Sequence, residues 1–332
     1  MRLFRIIVVA AISVLIVFGL AILGIGLRNV WRAFASPRWP SVRGAVLESS
    51  TSKSVTRDRE TGANSASYQA QITFGYQVNG KSYTTDTIHF GQTVGSGDSS
   101  DAELRHLRYP VGAQVSISYH PGDPSIATLK PGLYPDVFWI PGAGLAFALP
   151  CMAALLFFLS TEMKVPGFAI GLGLFATIFC LVGAVMLAGG LVRLWHAYAS
   201  QNWPVTSGAI VYQQQDGSTS VTRSHDGATQ RATSYGTNLV FQYEVGGAIH
   251  FANTRRFGQL AGAGKDWADE IAERYPKGAQ VKVAYCPSDP DLAVLEPGIN
   301  REAYWLPGAG AAFLLFGLAV LRWGVPALAE TP

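Results

Sequence analysis

The residues best suited to holding a metal or moving a proton are His89, His106, His120, His225 and His250, together with the thiol of Cys286. A zinc site draws three or four ligands from such groups, and sequence announces it as His-x-x-His, His-Glu-x-x-His or paired cysteines. None of those spacings occurs, so each residue reads as a surface or turn position. Asp123 and Asp289 could be catalytic acids, but each precedes a proline. In that setting an aspartate bonds nearby backbone amides while proline fixes φ, so both read as turn residues. Gly-x-Ser-x-Gly, a phosphate-binding Walker loop and a strand-to-helix Gly-x-Gly-x-x-Gly are all missing. The expectation is a protein that is not an enzyme, with no catalytic, cofactor-binding or metal-ligating residue assigned and no cofactor.

These residues belong to a segment written twice. Tyr109-Pro-Val-Gly-Ala-Gln-Val115 returns as Tyr275-Pro-Lys-Gly-Ala-Gln-Val281. Both copies continue through Tyr-x-Pro-x-Asp-Pro (Tyr119 to Pro124; Tyr285 to Pro290), Leu-x-Pro-Gly (Leu129 to Gly132; Leu295 to Gly298) and Trp-x-Pro-Gly-Ala-Gly (Trp139 to Gly144; Trp305 to Gly310). The candidate ligands are not shared. His120 becomes Cys286, and His250 stands where Tyr83 does.

Hydrophobic residues make up 49% and charged residues 14% of the chain, with a mean hydropathy of +0.22. An average soluble chain carries about 25% charged residues, so a membrane protein is the direct reading. The net charge of +3 is small, and acids and bases are interspersed without basic blocks. Nucleic acid is therefore excluded as a partner. Cys151 and Cys180 fall in apolar runs and Cys286 alone in a polar region, so no disulfide forms within a polar domain.

Four apolar runs, 6–27, 137–160, 165–192 and 304–321, contain no Asp, Glu, Lys, Arg or His. Each approaches the roughly 20 residues that a helix needs to cross a bilayer. The first exceeds the apolar core of a signal peptide. Its Ala33-Phe-Ala35 also returns internally as Ala197-Tyr-Ala199, so it reads as a retained anchor. Ion transport usually leaves ionisable groups in the spans, and Ser13 and Thr177 are hydroxyls of the kind that bond their own helix. Trp31, Arg32, Phe34 and Trp39, repeated as Trp195, His196, Tyr198 and Trp203, form an interfacial collar. Gly19, Gly24 and Gly26, Gly167, Gly171 and Gly173, and the two Pro-Gly-Ala-Gly segments could let helices pack closely, within the chain first and between copies second.

Between the runs the pattern changes to alternation. Strands are expected at 45–51, 68–78, 82–90, 113–119 and 127–129, and again at 210–214, 238–245, 249–257, 279–285 and 293–295. Ile72, Phe74, Tyr76 and Val78 should share one buried face, and Asn79-Gly80 suits a type I′ turn. Residues 52–67 and 215–234 read as polar, variable hairpin tips. Short helices are expected at 101–108, capped by Ser99 or Ser100, and at 267–274.

The set Phe-x-Tyr-x-Val-x-Gly (Phe74 to Gly80; Phe241 to Gly247), Phe-Gly-Gln (Phe90 to Gln92; Phe257 to Gln259), Tyr-Pro-x-Gly and Tyr-x-Pro-x-Asp-Pro resembles the bacterial domain-of-unknown-function family 3592, in two tandem copies. The resemblance implies a bacterial membrane protein without an assigned activity, and it transfers no site residue. The fold expected is four transmembrane α-helices plus two homologous α+β modules, mostly antiparallel β. Its divisions are a first helix and collar (1–37), a first module (38–135), a helical hairpin with the second collar (136–200), a second module (201–302) and a fourth helix with its tail (303–332). Thr161–Pro166 is short enough to be only a hairpin, which puts both modules on one side of the membrane. Arg28, Arg32, Arg38, Lys130, Arg193 and Arg301 favour the modules inside, whereas Arg2, Arg5, Lys164 and Arg322 in the short tails and hairpin, which weigh more, favour modules outside the cytoplasm. The expected role is a multi-pass protein of the bacterial cytoplasmic membrane that presents its modules to a protein partner, to lipid or to a second copy of itself. Transport or ligand sensing at a cleft between the repeats is the alternative.

Overall fold

The computed structural model describes residues 2–57, 64–92, 98–163, 167–223, 229–259, 262 and 264–324. A long helix, α1 (Arg2–Ala35), leads into β1 (Ser41–Arg57), β2 (Asn64–Val78), β3 (Lys81–Thr85), α2 (Ser99–Arg108), β4 (Gln114–His120) and β5 (Asp123–Thr128), then a second long helix, α3 (Trp139–Met163). The same order follows again: α4 (Gly167–Ala199), β6 (Val205–Arg223), β7 (Thr229–Val245), β8 (Ala248–Ala252), α5 (Lys265–Arg274), β9 (Gln280–Cys286), β10 (Asp289–Val294) and α6 (Trp305–Ala319).

The segments Val8–Arg38, Pro135–Leu156, Gly171–Asn202 and Arg301–Trp323 are helical, long and apolar enough to cross a membrane, which fits a multi-pass membrane protein. Ser13 and Thr177 each donate to the carbonyl four residues earlier, Val9 and Gly173, at 2.8 Å. α1 packs on α3, and α4 on α6. The glycine contacts repeat between the two pairs. A Cβ at Gly26 would lie 2.4 Å from the nitrogen of Pro141, and one at Gly190 2.5 Å from that of Pro307. Gly144 approaches Leu23 at 2.6 Å as Gly310 approaches Leu187 at 2.4 Å. Close backbone approach is what small residues permit where no hydrophobic drive acts between helices in lipid. Gly24, Gly142 and Gly171 face open space instead.

Each module is a five-stranded sheet that curls on itself. β1 pairs with β2 and β4, β2 with β3, and β4 with β5, all antiparallel. The sheet then closes where the amides of Leu129 and Lys130 donate to the carbonyls of Thr87 and Ile88, running alongside the end of β3. The cyclic order β1-β2-β3-β5-β4, with a helix between β3 and β4, is the connectivity of an OB-type barrel. The second copy repeats it, with Leu295 and Glu296 donating to Thr254 and Arg255.

Alternation in β2 puts Ile72, Phe74, Tyr76 and Val78 inside, none more than 7% exposed, against Val46, Ile117 and Ala127. Ile210, Leu239, Phe241, Tyr243 and Val283 form the second core. Asn79 and Gly80 both take positive φ, as the type I′ turn requires, and Gly246-Gly247 does the same in the other copy. Tyr76 donates to the carbonyl of Pro124 at 2.6 Å, and Tyr243 to that of Pro290, which ties the Phe-x-Tyr motif to the Asp-Pro motif.

Three expectations need correction. The described parts of the polar tips are strand: β1 pairs with β2 from Gly44↔Tyr76 out to Arg57↔Asn64 with one bulge between Val46 and Glu48, and β6 pairs with β7 out to Arg223↔Thr229 with one between Ile210 and Tyr212. Ser and Thr mask a ladder here because its two faces lie outside the barrel, so no apolar alternation is needed. The third strand of each module ends at Thr85 and at Ala252, where its ladder with the preceding strand stops, and the next residues bond instead to the chain after β5 and β10. The cap of α2 is Asp98, whose carboxylate accepts the Ser100 amide at 2.8 Å, one residue earlier than the serines suggested.

The junction between module and helices is the same in both copies. Ser36 donates to the Ala33 carbonyl and accepts the Gly132 amide at 2.9 Å, while Ser200 donates to Ala197 and accepts Gly298 at 3.0 Å. Trp39 meets Phe90, and Trp203 meets Phe257, edge to face at 5.6 and 5.8 Å. The glycine of each Phe-Gly-Gln lies against the segment that opens the next long helix, Gly91 at Val137 and Gly258 at Ala303.

Candidate functional site: a polar seam between the copies

Helix α2 belongs to the first module by sequence and lies between both modules in space, touching β1 and β2 on one side and β6, β7 and β8 on the other. Capping by Asp98 frees the hydroxyl of Ser99 to point outward, where it donates to Asp216 at 2.9 Å. Asp216 also accepts from Gln214 at 2.7 Å, from Asn238 at 2.6 Å and from the hydroxyl of Tyr68. Burial pushes this carboxyl upward, but Tyr68, Gln214, Ser99 and Asn238 outweigh it and hold Asp216 below the usual aspartate range. Beside it, Asn253 donates to Ser100 at 3.1 Å and to Asp101 at 2.7 Å. One backbone pair, Asn64↔Thr219, joins the two ladders at their far ends.

A second node forms at the other end of α2. Arg108 donates to the carbonyl of Phe251 through Nε and Nη2, at 3.2 and 2.6 Å, and to that of Asp291 at 3.1 Å. The Asp291 carboxylate meets Lys130 at 3.1 Å, His250 at 3.0 Å and Arg108 at 3.7 Å. Burial pushes Asp291 up, and the His250 bond with the Arg108 and Lys130 charges brings it below the ordinary value.

Both carboxylates therefore favour the docked arrangement above the undocked aspartate pKa of about 3.9, and that contribution is lost as pH falls through their depressed docked values. Acidification through and below pH ~4 should separate the modules before either barrel melts. Hydrogen exchange of the α2 amides against pH checks this; protection of α2 unchanged down to pH ~2.5 would contradict it. Asp291 is 35% exposed, so with solvent screening Asp291→Ala should cost only about 1 kcal/mol of docking.

The seam uses each copy differently. By the repeat, Asp216 corresponds to Ser52, Asp291 to Ser125, His250 to Tyr83 and Lys130 to Glu296. Glu296 turns inward, bonded by Arg255 at 3.1 Å, Tyr275 at 2.9 Å and Arg256. Burial raises its pKa, and Arg256, Arg255 and Tyr275 more than reverse this. Arg255 is 4% exposed and lies 5.3 Å over the Trp267 ring. Consequently the two helices have different surroundings. Ser99 and Ser100 of α2 are 2% exposed. Their counterparts on α5, Lys265 and Asp266, are open to solvent with Glu270, Glu273 and Arg274.

The structure scatters the residues singled out by type. His89 lies against Tyr134 in a tilted ring contact at 4.8 Å, and burial lowers its pKa. His106 bonds Ser49 at 2.9 Å, while His120 packs on Trp39 and accepts the amides of Gly122 and Asp123. Cys286 faces Ser288 at 3.2 Å, and His225 lies outside the described residues. Asp123 accepts from the Ser125 amide and Asp289 from the Asp291 amide, the local turn bonds expected of them. Among the described residues no three His, Cys, Asp or Glu side chains converge as metal ligands. Of the histidines among the described residues, only His250 enters the seam. Sequence reasoning missed Asp216, Asp291, Asn238 and Tyr68; the first three had one signal, that the copies differ there as Ser52, Ser125 and Gln71, while Tyr68 is kept as Tyr235 and had none.

Two OB-type barrels, each set on its own pair of apolar helices and joined by a polar seam, define a tandem-module protein of the multi-pass type. The family described as a domain of unknown function (DUF3592) matches residues 42–134 and 206–300, more than half of the chain. The chain belongs to this family and carries the domain twice. The comparison with curated proteins found no match.

Proposed function

We propose that the chain is a non-enzymatic platform of a bacterial cytoplasmic membrane, holding both modules on the extracytoplasmic side and offering the α5 face of the second module to a partner protein. One observation carries this reading: the same helix is covered in the first copy and open in the second. Polar, well-bonded surface of this kind suits a reversible protein contact. The α5 face is bordered by Gln213 and Gln215, which bond Ala272 and Asp269 at 3.0 Å and hold the helix flat on β6. The other reading, transport or sensing at a cleft between the repeats, has less support, because α2 and its bonds occupy the space between the modules.

A photo-reactive crosslinker placed at Glu273 in native membranes should give a discrete adduct, while one at Arg105 on covered α2 should not. The same yield from both positions, or none at Glu273, would refute the docking face. Sidedness is read separately with Lys277→Cys in a Cys286→Ser background, since a membrane-impermeant maleimide should label it in intact spheroplasts.

A further inference from the structure

The geometry points to a binding site for anionic phospholipid on the collar of the first copy, built from Arg28, Arg32 and Arg38 and missing from the second. The apolar run Ile6–Leu27 rises roughly 33 Å along α1 at 1.5 Å per residue, close to the thickness of the hydrocarbon layer. The helix continues without a break to Ala35, so its next two turns stand at the depth of lipid headgroups. Arg28 and Arg32, one turn apart on one face, occupy those turns. Arg38 follows with its guanidinium 5.6 Å over the ring of Phe34, and Arg43 is exposed a few residues on, at the start of β1.

Two further observations favour a lipid phosphate. Among the described residues, no carboxylate comes within ion-pair distance of Arg28, Arg32, Arg38 or Arg43. The aromatic rings around them are left uncovered by protein, with Trp31 68%, Phe34 50%, Phe138 54% and Trp139 72% exposed. Indole and phenyl rings exposed beside guanidiniums at this depth match the junction of acyl chain and headgroup. A guanidinium fork matches the two free oxygens of a phosphodiester.

The second copy supplies an internal control. Its aromatic positions are kept as Trp195, Tyr198 and Trp305, each more than half exposed. Its counterparts of Arg28, Arg32, Arg38 and Arg43 are Val192, His196, Asn202 and Ser207, and the arginines left at this collar are Arg193 and, before Trp305, Arg301. Both collars thus fit the membrane interface, and the first alone gathers its arginines in a cluster, Arg28, Arg32, Arg38 and Arg43, along the end of one helix and the start of β1. The site is independent of whatever docks on α5.

The full-length chain, reconstituted in nanodiscs of phosphatidylcholine doped with phosphatidylglycerol, should enrich phosphatidylglycerol in its retained shell as read by native mass spectrometry. Each arginine near an anionic surface contributes about fivefold. Arg28→Gln, Arg32→Gln and Arg38→Gln together should lower that preference by roughly 100-fold, and Arg193→Gln should leave most of it. The reverse transplant, Val192→Arg with His196→Arg and Asn202→Arg, should give the second collar the same preference, a gain that a folding defect cannot imitate. An undiminished preference in the triple glutamine variant, or a transplant without gain, would overturn the proposal. So would displacement of the bound lipid by millimolar glycerol phosphate, which would mark a site for soluble phosphate.

Discussion

Alanine at Gly258 should loosen the second module from its helices and lower stability by about 2–5 kcal/mol. The backbone there is left-handed, with φ +78°, and the new Cβ would sit 2.6 Å from the Cα of Ala303. A side chain in that conformation costs about 1–2 kcal/mol, and overpacking against backbone adds about 1–3 kcal/mol. Neither Ala303 nor its neighbours can rotate aside, because Asn300 fixes this turn by accepting the Ala303 amide at 3.0 Å and donating to the Phe257 carbonyl. Gly91→Ala should behave alike, since its Cβ would meet Val137 at 2.2 Å with φ +86°. Gly278→Ala separates the two causes: φ is +87°, yet nothing lies within 4 Å. It should lose only the conformational part, about 1–2 kcal/mol. Thermal unfolding in detergent ranks the three, and a Gly278 variant as damaged as Gly258 would show that the junction contact is unimportant.

The second large effect is expected at Asp216. Removing its carboxylate strands Tyr68, Ser99, Gln214 and Asn238, which come from both modules and from α2. Leaving buried partners unsatisfied costs about 1–3 kcal/mol, so Asp216→Ala should weaken docking by about that much. Asp216→Asn keeps one acceptor oxygen but presents two further donors to a ring of donors, and should fall between. The loss should be local. Amides of α2 and the Asn64–Thr219 contact should exchange faster, while Phe74 and Phe241 in the two cores should not. Equal loss of protection in the cores would mean that Asp216 supports the barrels and not their union.

Much of the fold could be read from residue order, for reasons of short range. A Cβ alternates sides along a strand, so Ile72, Phe74, Tyr76 and Val78 fell on one face wherever that face pointed. Asn79-Gly80 closed its hairpin because those residues tolerate positive φ. The runs near Val8–Arg38 and Gly171–Asn202 are helical for want of any other way to satisfy backbone groups in an apolar stretch. What failed to show was set by contacts distant in the chain. The strand character of residues 52–57 and 215–223 comes from pairing with a neighbour, and a polar ladder has no signature of its own.

The sequence by itself determined the duplication, the four apolar helices, the hairpin turns and the buried face of each module, because periodicity and turn chemistry act between near neighbours. Only the tertiary structure decided that α2 is wedged between the copies while α5 stays open. Ser99 meets Asp216 across 117 positions and Arg108 meets Asp291 across 183. Bonds between groups so far apart depend on where two separately folded barrels come to rest, and no local pattern records that.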